Sequence, residues 1–219
     1  MNLSSPRAST FICLFLGALA FALRLHYVLY AQPEMLIRAD AAQYFRIAIN
    51  VVDHGVYSDA MRSDTAPSPD SYRGPGYPTL IALPLALSHD SMTTYWSILV
   101  LQAALGAGVA VLVFLLARRW MPPGFALASG LLVAIWPHLI VQAGCLLTES
   151  PFGFLLVGGI YLSLRALESD RMAYSMAAAV AFACAALMNS MIVLFPLVVF
   201  GMILAARGWR NATLFLILR

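Results

Sequence analysis

Apolar runs at residues 11–30, 93–117, 124–143, 151–167, 172–187 and 191–206 follow one another along the chain, and another opens at residue 211. About 20 apolar residues match the hydrocarbon thickness of a bilayer, where every backbone amide must be bonded within its own helix. Few architectures meet that constraint. Because 62% of the 219 residues are hydrophobic and 11% charged, the chain also lies far from the averages of water-soluble domains. The expectation is an all-α, polytopic transmembrane helical bundle forming a single module over residues 1–219.

The first run has two readings. Arg7 followed by an apolar stretch and Leu-Gly-Ala-Leu-Ala fits a secretory signal, with a charged head and a small-residue cleavage site. Its length favours a retained span, and Arg24 and His26 lie beyond that cleavage site. An arginine inside a membrane segment is unfavourable unless it pairs or snorkels, which makes Arg24 a functional candidate.

Residues 38–78 form the one long polar interval. At its front, Ala41, Phe45, Ala48, Ile49 and Val52 share one helical side and Gln43, Arg46, Asn50 and Asp53 the other, so a short amphipathic helix is expected from Asp40 to a stop at Gly55. At its back, Arg73-Gly-Pro-Gly-Tyr-Pro78 reads as a rigid turn carrying a permanent cation. The apolar run 79–87 that follows is too short to span and is expected to lie at the interface.

Charge sets the orientation. If residues 79–87 do not cross, Arg118, Arg119, Arg165, Arg171, Arg207 and Arg210 share a side with Arg7, against Glu168 and Asp170. That is a positive-inside pattern. The expected topology is a multi-pass protein of the cell inner (cytoplasmic) membrane with a cytoplasmic N-terminus. The first outer loop is then about residues 31–92, its part 31–76 is acidic, and the Thr148-Glu149-Ser150 turn and Asn189-Ser190 join it outside. His138 follows the kink-forming Pro137.

Other classes are set aside on composition. All 13 basic residues are arginines scattered singly or in pairs, so no basic patch for nucleic acid exists. Cys13, Cys145 and Cys184 have neither disulfide nor metal spacing, and no metal or other cofactor is expected.

The order Arg24, Asp40, Tyr44, Gly55-Val-Tyr57, Arg73-Gly-Pro-Gly-Tyr-Pro78, Ala117-Arg-Arg119 and Leu147-Thr-Glu149-Ser-Pro151 resembles the protein mannosyltransferase superfamily of glycosyltransferases with the GT-C fold. It also resembles the bacterial ArnT and RgtA/B/C/D-like enzymes of that superfamily. The resemblance covers nearly the whole chain but only the N-terminal part of the family, whose members continue through several more helices. Set against the family, the chain is expected to be either a fragment of a longer protein or a shortened form of it. The resemblance also implies an inverting hexosyl- or pentosyltransferase that moves a sugar from a polyprenyl-phosphate donor to a glycan, lipid or protein acceptor at the outer membrane face. Membrane lipids surround it.

For Asp40 the resemblance implies a catalytic base, a role a juxtamembrane carboxylate can fill by deprotonating an acceptor hydroxyl. Asp40-Ala-Ala-Gln43 also fits a helix capping box. Arg73 is the candidate for the leaving phosphate, since a planar guanidinium gives bidentate donors where charge develops. Its other reading is a structural cation paired with Asp70 or Asp64. The resemblance makes Glu149 a second acidic site residue, whereas Ser150-Pro151 reads as a helix cap that leaves Glu149 a solvated loop acid. Arg24, Arg38, Tyr44, Tyr77 and His138 complete the substrate-binding candidates, with packing as the plainer role for Tyr44 and His138.

Two departures from the family stand out: Ala41 where many relatives carry a second acid, and Met188-Asn189-Ser190 where they carry an arginine. A non-catalytic membrane or lipid-binding partner subunit is the alternative. A transporter is weaker, because Arg24 is nearly alone as a charge within the spans.

Overall fold

The computed structural model of the chain describes residues 5–31, 37, 39–61, 67–169, 171–198 and 200–201, and every regular element among them is helical. Helix α1, Pro6–His26, starts where the Ser5 hydroxyl accepts the Ala8 N–H at 3.2 Å and Pro6 occupies the first helical position. A π-helical turn, Tyr27–Ala31, extends it. Helices α2, Asp40–His54, and α3, Gly76–Ser88, precede α4, Ser91–Ala117. Next come α5, Pro123–Ile135, the short α6, Pro137–Val141, then α7, Glu149–Glu168, and α8, Met172–Met188.

Three units are long and apolar enough to cross a membrane: Pro6–Ala31, α4 and α7. The pair α5 and α6, bent by 49°, makes a fourth if it is one broken span. The chain is an all-α membrane helical bundle. Helix α8, expected as a span, has 17 residues, a length of about 26 Å. Of the span expected at 191–206, residues 191–198 and 200–201 are described and open in the 3-10 turn Ser190–Ile192 rather than in an α-helix, while the run expected from 211 lies outside the described residues.

Packing follows from spacing. Ala8, Ile12, Leu16, Ala20 and Arg24 recur every fourth residue of α1 and are all buried. They face the small residues of α4, where Gly106, Ala107 and Ala110 let the backbones approach. A Cβ at Gly106 would lie 2.6 Å from Arg24 Nε, so only glycine leaves room for that side chain.

The break between α5 and α6 explains the arginine. Pro137 has no N–H and disfavours helical geometry at Trp136, whose φ and ψ are −64° and 118°. Val133 and Ala134, four residues before Pro137 and His138, therefore lose their helical donors. Arg24 replaces both, donating from Nη2 to the Val133 carbonyl and from Nη1 to the Ala134 carbonyl, each at 3.1 Å.

The bundle has two chemically different ends. At one, Arg118 donates to the Ser9 hydroxyl and Arg119 pairs with Glu168. At the other, α2 and α3 pack against each other and against α4. There Tyr44, Phe45 and Ala48 of α2 meet Tyr77, Ile81 and Leu85 of α3 and Tyr95, Ile98 and Leu99 of α4 in one buried cluster. Helix α3 has 13 residues, about 20 Å, which is shorter than the hydrocarbon thickness of a bilayer. It begins at Gly76, so the back half of the expected 73–78 turn is already helical.

Candidate functional site

Two strips of the polar interval, residues 55–61 and 67–75, are tied to α2 before any site exists. Gly55 ends α2 in the left-handed conformation, φ 67°, and turns the chain back along the helix. Buried Asn50 donates to the carbonyls of Ser58 and Ala60 at 2.8 and 3.0 Å, and Arg46 pairs with Asp59 at 2.7 Å. Asp70 joins the second strip to the first by accepting the N–H groups of Asp59 and Tyr72 at 2.6 and 3.2 Å. These backbone bonds hold its carboxyl below its ordinary value. The Tyr57 phenol closes the arrangement, donating to the carbonyls of Arg73 at 2.9 Å and Gly74 at 3.1 Å. Burial, with the Asp70 charge nearby, pushes its pKa up to about 12.

Arg73 is thereby set against α2. Its Nη2 donates to Asp40 Oδ1, its Nε to Gln43 Oε1 at 2.8 Å, and Nη2 also meets Gln43. The Tyr44 and Tyr72 rings lie 5.4 and 5.1 Å from the guanidinium carbon. Two alternatives from the sequence are overturned here. Asp40 is the first helical residue, the cap position is Ala39 with φ 47°, and no side chain caps α2, because Asp40 and Gln43 are both turned to Arg73. Asp70 does not pair with Arg73, since its oxygens hold backbone N–H groups, and Asp64 lies outside the described residues.

Asp40, Tyr44, Tyr72 and Arg73 line an open cleft of about 640 Å³ together with Thr148, Glu149 and Asn189. Three charged groups far apart in sequence thus share one cavity at the end of the bundle that carries α2 and α3. Glu149 opens α7, with Ser150 and Pro151 in the first turn, so the expected cap at Ser150 is replaced by Thr148 and the carboxylate belongs to the helix. The Gly74 and Gly76 backbones close the cleft against α8. A Cβ on either would meet Leu187 O at 2.8 Å, and one on Gly76 the Leu187 carbonyl carbon at 2.7 Å.

Beneath the cleft runs a buried polar relay. Tyr77 donates to Gln102 Oε1 at 2.6 Å, and Gln102 Nε2 donates to the carbonyls of Ala143 and Cys145 at 3.2 and 2.8 Å. The relay joins α3, α4 and the turn that leads into Glu149, with every Gln102 donor used. Burial raises the Tyr77 phenol well above its ordinary value and raises Tyr44, which packs edge-on to it at 5.1 Å. Both stay neutral at physiological pH.

The remaining candidates lie elsewhere. Arg24 is buried on the α5 carbonyls, and His138 is exposed on α6; neither lines the cleft. Arg38 lies outside the described residues. Sequence reasoning missed Gln102 and the true role of Gln43. A lone amide in the apolar α4 was the available signal for the first, since a buried amide in a membrane helix demands partners.

The cleft combines a cation held on ring faces, a carboxylate paired with it and a second carboxylate in its lining. That set can bind an anionic leaving group and accept a proton from an incoming hydroxyl. A family model described as dolichyl-phosphate-mannose-protein mannosyltransferase matches residues 72–218, a stretch that contains Arg73, Tyr77 and Glu149. A search of the curated proteins found no match.

Proposed function

Since the chain belongs to the dolichyl-phosphate-mannose-protein mannosyltransferase family by its match over residues 72–218, we propose that it transfers a sugar from a polyprenyl-phosphate carrier at this cleft. Membership makes it a membrane glycosyltransferase of the GT-C type. The observation that carries the finer reading is the shared cleft of Asp40, Arg73 and Glu149.

In this reading an acceptor hydroxyl attacks the anomeric carbon while Asp40 takes its proton. The bond from that carbon to the phosphate oxygen breaks, and its electron pair leaves with the polyprenyl phosphate. Arg73 meets the charge that develops there, which stabilises the transition state more than the bound donor. Attack opposite the departing phosphate inverts the anomeric centre. Glu149 binds acceptor hydroxyls from the cleft lining. The acceptor is a glycan, lipid or protein reached from the outer face of the cytoplasmic membrane.

The test is sugar transfer by the full chain in lipid nanodiscs with a polyprenyl-phosphate sugar as donor. Asp40→Asn is nearly isosteric and removes the base, so transfer is expected to fall by about 100-fold or more with the fold intact. Arg73→Lys keeps the charge and loses the fork, so donor use is expected to weaken. Wild-type transfer by Asp40→Asn would end the catalytic assignment. Donor binding without transfer by the wild-type chain would favour a non-catalytic lipid-binding subunit.

A further inference from the structure

Arg73 has more anchors than an ion pair needs. The Tyr44 and Tyr72 rings fix its plane, and the Gln43 amide oxygen accepts from both Nε and Nη2. Asp40, whose side chain is 49% exposed, adds one bond from the cleft side. Gln43, unlike Asp40, is absent from the residues lining the cleft, although it too accepts from the guanidinium. The cation's position is therefore set without Asp40.

We infer that Gln43 is a positioning residue for a donor-driven exchange at Arg73: an incoming phosphate displaces Asp40, while Gln43 keeps the guanidinium in the cleft. The inference rests on the lipid-phosphate donor reading above. Its chemistry is competition between two anions for one cation. An ion pair to a half-exposed carboxylate contributes little net stability, so a phosphate that offers several acceptor oxygens displaces it readily. The Gln43 oxygen is neutral. It holds the cation without cancelling the charge that the phosphate needs, which a glutamate there would do. The exchange also orders the reaction, because Asp40 is released towards the acceptor hydroxyl once the leaving phosphate is held.

The test is equilibrium binding of polyprenyl phosphate to the full chain in nanodiscs. Asp40→Asn removes the competing anion and is expected to bind about two- to fivefold more tightly than wild type. Gln43→Leu is expected to bind about tenfold more weakly. Should Gln43→Leu fail to fold, Gln43→Glu reads the same contact, since a carboxylate paired with Arg73 there also weakens binding. Inorganic phosphate is expected to follow the same order at higher concentration, and polyprenol without its phosphate to be indifferent to every variant. Opposite signs for Asp40→Asn and Gln43→Leu are an outcome that general loosening of the site does not produce. If polyprenyl phosphate binds wild type but Asp40→Asn fails to tighten it, if the Gln43 variant leaves it unchanged, or if inorganic phosphate loses the order, the exchange is overturned and the donor reading stands. If wild type binds no polyprenyl phosphate, the donor reading falls and the exchange with it.

Discussion

Tyr57 shows how a residue outside the cleft controls one inside it. Its hydroxyl donates to the carbonyls of Arg73 and Gly74, and these bonds fix the backbone from which the guanidinium extends. Tyr57→Phe is expected to lower stability by about 1 kcal/mol and to weaken donor binding. Thermal melting and donor titration of the same preparation check the two effects. The raised pKa adds a pH signature, because the neutral phenol is the form that donates. Its stabilisation is whole below the ordinary value near 10.0 and is lost as pH rises towards about 12. Asp70 sets the acid limit of the same strip: its lowered pKa makes its contribution whole above the ordinary value and lost as pH falls through the lowered one. Tyr57→Phe should remove the Tyr57 share of the alkaline loss, leave the shares of Tyr44 and Tyr77, and spare the acid transition. Asp40 and Arg73 were legible in the sequence because isolated charges flank a polar interval in an apolar chain. Gln43 was not, because local spacing offered it a capping role and its real partner lies 30 residues away.

At the scale of elements, the approach of α3 to α8 depends on atoms that are missing. Gly76 leaves no space for a Cβ between its own backbone and those of Leu187 and Met188, with contacts of 2.7 to 2.8 Å. Gly76→Ala must push two backbones apart and is expected to destabilise by about 1–3 kcal/mol, seen as a lower melting temperature and an opened cleft. At Gly153 in α7 a Cβ would meet nothing within 4 Å, so Gly153→Ala is the matched control and should be neutral or slightly stabilising. Equal losses in the two variants would show that close approach is not the reason for Gly76. Most elements here were readable from period and punctuation: α2 starts at Asp40 and stops at Gly55, and Pro137 announces the break before α6. What the break requires was not readable. Only the fold brings Arg24 to the two carbonyls that Pro137 leaves without donors, and the same charge seen in isolation looked like a substrate ligand.

The whole molecule separates its charges by end, and that separation carries an expectation of orientation. Among the described residues, Arg7, Arg118, Arg119, Arg165 and Arg171 gather with Glu168 at the end opposite the cleft. Arg46 and Arg73 are outnumbered at the cleft end by Asp40, Asp53, Asp59, Asp70, Asp90 and Glu149. If the arginine-rich turns are retained on the cytoplasmic side, the cleft is expected to face outside. The test uses a chain whose Cys13, Cys145 and Cys184 are replaced by serine, carrying either Ser68→Cys beside the cleft or Met121→Cys in the turn after α4. Both positions are open to solvent, so folding does not shield either one. A membrane-impermeant maleimide added to intact cells with a permeable outer envelope is expected to label Ser68→Cys and to reach Met121→Cys after the cytoplasmic membrane is opened. The reverse pattern would place the cleft in the cytoplasm, where the donor and acceptor proposed for it would have to be sought instead.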